Sequence, residues 1–401
     1  MTPVRALFLE TLHPQATEIL NAADIAVDNR AGALDEDELI DALKGVQLLG
    51  LRSKTHVSER VLKEARDLIA VGAFSIGTNQ IDLAAAARLG IAVFNAPFSN
   101  TRSVVEMALS EMISLTRRLP EHNRQMHAGV WSKSAIGAHE IRGRTLGIVG
   151  YGNIGSQLSV IAEALGMNVI FFDNAEKLAL GNATKMPTLE ALLAEADIVS
   201  LHVDGRPGNS GFFGPQRFAA MKEGALFLNL SRGFIVEIEA LKAGLESGQI
   251  GGAAIDVYPV EPKAKGDAFS SPLQNTPNVI LTPHIGGSTE EAQRDIGIFV
   301  ATRLRDFVHN GSTSLSVNLP NLSLEVPQGS HRVVHLHVNV PGVLAAVNRE
   351  FAEHGVNIEG QMLATRGELG YVVTDISDGL TDDAVEALSN MQATVRLRVL
   401  S

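Results

Sequence analysis

The chain has 401 residues, enough for two or three domains. Hydrophobic residues make up 45% and charged residues 19%, a globular composition that argues against disorder. The formal net charge of −12 argues against a general nucleic-acid binder, and the absence of cysteine excludes disulfides, thiolate nucleophiles and Cys-ligated zinc.

No stretch approaches the roughly 20 apolar residues of a membrane helix. The apolar run after Met1 stops at Glu10, so it reads as a first strand and not as a secretory signal, and a cytoplasmic location is expected. Ala6–Leu9, Gln47–Leu51, Leu68–Val71 and Ile91–Phe94 have the continuous apolar character of strands buried on both faces. Amphipathic stretches separate them, at Asp35–Leu43, Glu59–Ala65 and Asp82–Leu89. This alternation predicts a parallel α/β domain.

A helix over Ser103–Leu119, opened by a Ser103/Glu106 capping box, leads to a second alternating block. Its strands are expected at Thr145–Val149, Asn168–Phe172, Ile198–His202, Ala225–Leu230, Gly252–Val257 and Val279–Thr282. A Ser288/Glu291 capping box opens a helix to about His309, which returns the chain to the first block and makes that domain discontinuous. Asn318–Gly329, punctuated by Pro and Asn, reads as a linker. Beyond it the pattern is βαββαβ: strand Val333–Val338, helix Gly342–His354, hairpin Asn357–Thr365 and Leu369–Ser377, helix Asp382–Met391, strand Thr394–Leu400. That order is the ferredoxin-like split unit. The expected domains are therefore 1–99 with 288–320, then 100–287, then 330–401.

Gly150-Tyr151-Gly152-Asn153-Ile154-Gly155 matches the GxGxxG dinucleotide fingerprint. A strand enters the loop, a helix leaves it, and the next strand ends at Asp173, about 18 residues past Gly155. Gly150 serves the tight turn, Gly152 admits the pyrophosphate, and Gly155 lets helix pack on strand. The helix N-terminus offers N–H groups and positive dipole to phosphate. Asp173 accepts from ribose hydroxyls and repels a 2′-phosphate, which selects NAD over NADP.

Three further strands end in functional groups: Arg232; Asp256 followed by Glu261; and His284. In an open α/β sheet, ligands bind beyond the carboxyl ends of strands. A cation for a carboxylate, an imidazole for a hydroxyl proton and an acid to orient the imidazole are what oxidation of a 2-hydroxy acid needs.

Together with Leu51–His56, Ile76–Asp82 and Asn95–Ser103, these segments resemble the D-isomer-specific 2-hydroxyacid dehydrogenases, over nearly the whole chain. The resemblance is strongest to the three-domain, serine-inhibited branch that oxidises 3-phospho-D-glycerate. It implies two Rossmann-like doubly wound domains and a C-terminal ACT domain. It also implies an Arg232/Glu261/His284 triad, and NAD contacts at Gly150, Gly152, Asn153, Ile154, Gly155, Asp173, Leu230, Ser231, Arg232, Asp256, His284, Ile285, Gly286 and Gly287. Substrate contacts fall on Arg52, Ser53, Lys54, Gly77, Asn100 and Arg232, with Arg52 and Lys54 expected to point the same way at i, i+2. Lys54 stands where this branch carries Arg, and Lys lacks the bidentate fork. L-Serine is expected at His337, Asn339 and Asn357, between two ACT domains of a homotetramer. From the residues alone, His337 is an alternating strand residue beside His335, and the two asparagines are turn formers. No third ligand accompanies the two histidines, so no metal is expected. The alternatives are another D-2-hydroxyacid dehydrogenase or 2-oxoacid reductase, such as one acting on 2-oxoglutarate, or a non-catalytic NAD-sensing scaffold. The formate dehydrogenase branch carries Gln where Glu261 stands.

Overall fold

The structure is a computed structural model and describes residues 3–262, 266–325, 331–377 and 379–400. The chain divides into two compact units, residues 1–99 with 293–401, and residues 100–292.

The first unit opens with β1 (Arg5–Phe8), α1 (Pro14–Asn21), β2 (Ala26–Asn29), α2 (Glu36–Ala42), β3 (Leu48–Leu51), α3 (Glu59–Glu64), β4 (Ala70–Ala73), α4 (Leu83–Arg88) and β5 (Ala92–Phe94). The strands form one parallel sheet in the order β2-β1-β3-β4-β5, a doubly wound topology. The sequence pattern marks β1, β3, β4 and β5 because both their faces are covered, as in Leu48, Leu49 and Leu51. It misses β2, an exposed edge strand of sequence Ala-Val-Asp-Asn, and α1, which begins with a proline at its first turn. Asp35 and Glu38 make a complete capping box at α2.

The second unit contains α5 (Thr101–Thr116), α6 (Leu119–His127), β6 (Thr145–Val149), α7 (Asn153–Ala164), β7 (Asn168–Phe172), β8 (Thr184–Lys185), α8 (Leu189–Glu195), β9 (Ile198–Leu201), α9 (Pro215–Ala220), β10 (Ala225–Asn229), α10 (Ile238–Ser247), β11 (Ile250–Ile255) and β12 (Val279–Leu281). Its seven parallel strands run in the order β12-β11-β10-β9-β6-β7-β8. The order reverses between β6 and β9, the crevice where open α/β sheets bind ligands.

Two expected caps do not form. Helix α5 starts at Thr101, because Ser103 Oγ bonds Thr289 Oγ1 instead and Glu106 pairs with Arg102. Helix α11 (Glu290–Asn310) is capped by Thr289, whose Oγ1 accepts from the Ala292 N–H, and not by Ser288.

Helix α11 is followed by β13 (His331–Val338), α12 (Val343–Glu353), β14 (Ile358–Arg366), β15 (Leu369–Ile376), α13 (Asp382–Ser389) and β16 (Thr394–Leu400). These build an antiparallel sheet in the order β14-β15-β13-β16, the ferredoxin-like arrangement. One face carries α12 and α13 over Val333, Val347, Phe351 and Leu388. The other face joins the core of the first unit: Val334, Leu336, Tyr371 and Val373 pack with Leu304, Phe307 and Phe94. Polar groups along this seam find partners. Arg398 donates to the carbonyls of Phe307 and Val308 at the end of α11, and the Tyr371 hydroxyl donates to Gly311 O at 2.6 Å. Arg332 forms a bidentate pair with Asp375.

The expected linker 318–329 is no loose tether over its described part. Asn318 accepts from the Val93 N–H and donates to Ile91 O, and Arg366 donates to Leu319 O. Its last residues, 326–329, lie outside the described residues.

Candidate active site

In the second unit, the expected cofactor and catalytic residues gather along the carboxyl edge of the seven-stranded sheet. Gly150 follows β6 with φ of +94°, and a Cβ there would lie 2.6 Å from His202 O. A Cβ on Gly155 would collide with Gly150 O, so no side chain fits at either position. Gly152 caps α7, and a Cβ there would meet open space, which leaves the backbone and the helix N-terminus free for an anion. Asn153 and Ile154 form the first turn of that helix. Asp173 ends β7. Its carboxylate accepts from the N–H groups of Tyr151 at 2.8 Å and Ala175 at 2.9 Å. It edges a cavity of about 430 Å³ together with Phe172, Asn174, Lys185, Met186 and Pro187. Two loop glycines that admit no Cβ, an open helix N-terminus and a carboxylate-edged cavity suit a dinucleotide: the loop for pyrophosphate, Asp173 for ribose hydroxyls.

Arg232, Glu261 and His284 come together beyond β10, β11 and β12. His284 Nδ1 lies 2.8 Å from Glu261 Oε2 and 3.1 Å from Oε1, and Oε1 also accepts from the Tyr258 N–H at 3.2 Å. The hydrogen bond to Glu261 raises His284 above the ordinary histidine range, against the opposing effect of burial. Burial by itself would push the Glu261 carboxyl up, but the bond from His284, the Tyr258 N–H and the Arg232 charge hold it below its usual range. A carboxylate on Nδ1 fixes the imidazole with its other nitrogen free to exchange a proton. Nε2 has no hydrogen-bond partner among the described residues.

Arg232 anchors Nη1 on Ser231 O at 2.7 Å, and its charge acts on both Glu261 and His284. Ser231 is held by Asn229 through both its N–H and its hydroxyl. Two glycines make this approach possible. A Cβ on Gly233 would occupy the backbone of Tyr258, and one on Gly205 would press on the Arg232 side chain at 3.2 Å.

Asp256 organises the turn that carries His284. It accepts from Thr282 Oγ1 at 2.6 Å and from the N–H groups of Ile285 and Gly286 at 2.8 Å, while its backbone oxygen accepts from the His284 N–H. The turn places His284 at φ of +55°, a left-handed conformation that a non-glycine residue holds only when its surroundings fix it. Leu230 lines the floor near Gly286, and Asn100 packs on Gly287.

The remaining expected substrate residues belong to the first unit. Arg52, Ser53 and Lys54 follow β3, and Gly77 follows β4. Because β3 ends at Leu51, residues 52–54 form a turn, and the strand alternation expected to align Arg52 with Lys54 does not extend to them. A residue without any motif of its own shapes this turn. The buried Glu10 carboxylate accepts from the N–H groups of Ser53, Lys54 and Thr55 at 2.8–3.1 Å. Nothing in the local sequence marks it, since the contact spans more than forty residues. Gln80 secures the other side of the turn through Arg52 O.

In the C-terminal sheet, Asn339 and Asn357 are exposed, whereas His337 is 3% exposed with Nδ1 on Val338 O. Asn339 sits at the β14–β15 turn, bonded to Gly367 O, and Asn357 lies at the far end of β14, where its carbonyl accepts from Ser377. A nine-residue strand separates them, roughly 30 Å of extended chain, so one copy of the chain does not bring the two asparagines together.

Fold and site together define an NAD-dependent oxidoreductase of the 2-hydroxyacid class. Residues 109–286 match the family model described as D-isomer specific 2-hydroxyacid dehydrogenase, NAD binding domain, and residues 333–396 match an AHAS small subunit-like ACT domain. The chain is similar to the D-3-phosphoglycerate dehydrogenase of Haemophilus influenzae, 48% identical over 398 residues and covering 99% of this chain and 97% of the relative. The Escherichia coli enzyme of the same name is 48% identical over 400 residues, with the same coverage. Among solved structures, D-lactate dehydrogenase from Aquifex aeolicus complexed with NAD and lactic acid covers 76% of this chain and 95% of its own, at 25% identity and a TM-score of 0.66. The chain belongs to the D-3-phosphoglycerate dehydrogenase family. No helix among the described residues is long and apolar enough to cross a membrane.

Proposed function

We propose that this protein oxidises 3-phospho-D-glycerate to 3-phosphooxypyruvate, and that L-serine inhibits it through the ACT domain. NAD, when bound, supplies the hydride acceptor. The single observation that carries the reading is the imidazole of His284 held on Glu261 through Nδ1, beside Arg232, at the carboxyl edge of a dinucleotide-binding sheet. His284 takes the hydroxyl proton at Nε2, Glu261 stabilises the imidazolium that results, and Arg232 holds the carboxylate and the developing carbonyl oxygen. Arg52, Ser53, Lys54, Gly77 and Asn100 are the proposed grip on the rest of the substrate. The three proposed domains are 1–99 with 288–320, 100–287 and 330–401.

Serine binding by both Asn339 and Asn357 needs two copies of the chain, which their positions at opposite ends of β14 support and which fits a homotetramer. The deciding experiment compares kcat/KM for 3-phosphoglycerate, glycerate, lactate and 2-hydroxyglutarate, with and without serine. Preference for phosphoglycerate, with inhibition lost in Asn339→Ala, is the expected outcome. Faster turnover of 2-hydroxyglutarate, or no serine effect on the wild type, overturns the respective half of the proposal.

A further inference from the structure

Helix α5 lays one face against the turn held by Asp256. Met107 Sδ lies 3.7 Å from where a Cβ on Gly286 would sit, and Glu111 follows four residues later on the same face. Glu111 is 4% exposed, and neither of its carboxyl oxygens has a hydrogen-bond partner among the described residues. The charge that bears on it is Asp256, itself 1% exposed. Tyr258 is the other titratable group within range, and its hydroxyl is engaged with the carbonyls of Ile255 and Thr282. Two carboxyl groups sharing one buried place do not both ionise. Asp256 accepts three hydrogen bonds, from Thr282, Ile285 and Gly286. Glu111 accepts none, so it keeps the proton. Burial, and then the Asp256 charge, push the Glu111 carboxyl up to about 8.

We propose that Glu111 is a positioning residue acting through Asp256: as a neutral acid it leaves Asp256 alone to fix the His284–Gly286 turn, and its ionisation loosens that turn and weakens cofactor binding. The proposal rests on the reading that this turn contacts the nicotinamide cofactor. NADH titrations by fluorescence, with the full-length protein across about pH 6.5 to pH 9.5, test it. In the wild type Kd rises about tenfold, starting near pH 8 and levelling off about one pH unit higher, as a Glu111 pKa one unit higher in the complex than in the free protein produces. Glu111→Gln carries no ionisable proton, and its alkaline-to-neutral Kd ratio stays near one. An equal rise in wild type and Glu111→Gln, or no rise in the wild type, overturns the proposal. Should Glu111→Gln fail to fold by circular dichroism, Glu111→Asp decides: the rise persists with a displaced midpoint, and an unmoved midpoint overturns the proposal. The underlying reading of the turn is tested separately, because Asp256→Asn with wild-type NADH affinity at neutral pH removes it whatever Glu111 does.

Discussion

Replacing Glu261 by Gln isolates the charge behind His284 at nearly constant shape. The amide keeps one acceptor for the Tyr258 N–H and loses the ionic bond that His284 Nδ1 makes at 2.8 Å. A hydrogen bond to a charged group contributes about 1.5–3 kcal/mol, against about 0.5–1.5 for a neutral one. Both side chains are about a third to a half exposed, 36% for Glu261 and 48% for His284, so screening keeps the resting-state difference near the bottom of that range. In the proposed mechanism bound substrate shields the imidazolium as it forms, and the expected difference is about 1.5–2.5 kcal/mol, or roughly 10- to 70-fold in kcat/KM. The sign of the pH effect follows from Glu261, which raises His284. In the proposed mechanism oxidation needs neutral His284, so the rate climbs as pH passes upward through that pKa, and in Glu261→Gln the climb moves to lower pH. The raised folded-state pKa also means that the stability contributed by the pair is complete below the unfolded histidine value and is lost as pH rises through the folded one. Initial rates of NADH formation across the acid limb measure both effects. A Gln variant with wild-type kcat/KM, or with its acid limb moved upward, refutes the reasoning.

Gly150→Ala puts a Cβ 2.6 Å from His202 O at a φ of +94°, so a loss of at least about 2 kcal/mol and NADH binding weakened more than about tenfold are expected, read by thermal melting and fluorescence titration. Glu10→Ala removes the acceptor for three backbone N–H groups, and urea unfolding should show a loss of about 2–3 kcal/mol, with KM for phosphoglycerate raised more than kcat is lowered. Arg332→Met strands Asp375 at a buried pair and releases the carbonyls of Asn310 and Glu325, so denaturation should show a loss of about 3–5 kcal/mol.

The strands most legible in the sequence are those buried on both faces, because a short unbroken apolar run leaves no polar side chain for a solvated face. Leu48–Leu51 and Ala225–Asn229 are of this kind. Strand β2 escapes because an edge strand with exposed Asp28 and Asn29 carries no apolar signature, and two-residue β8 is too short to carry any. The capping boxes at Ser103 and Ser288 fail for a tertiary reason. Each serine has the right spacing, but Ser103 finds Thr289, and Thr289 is also the residue that caps α11. The first part of the expected linker departs from that reading similarly, since Asn318 is a turn former locally and a bridge to Val93 and Ile91 in the fold. The GxGxxG loop and the Arg232, Glu261 and His284 segments are legible because their chemistry sits at strand ends, where sequence and topology coincide.

The inward-facing carboxylates also change what the charge of −12 means. A formal count treats every acid as a surface charge repelling anionic ligands. Glu10 and Asp256 instead face inward and direct their charge at backbone N–H groups, three for Glu10 and two for Asp256. Glu261 is matched against His284 and Arg232, and Glu111, pushed up to about 8, holds a proton near neutral pH. Of these four acids, Glu111 leaves the anionic count near neutral pH and Glu261 is paired with cations, while the Asp256 charge still bears on Glu111 and His284. They hold the turns that present Arg52, Lys54 and His284. An acidic chain accommodates phosphate-bearing ligands because several of its acids are structural supports for cationic and N–H-rich surfaces, which composition alone cannot distinguish from solvated ones.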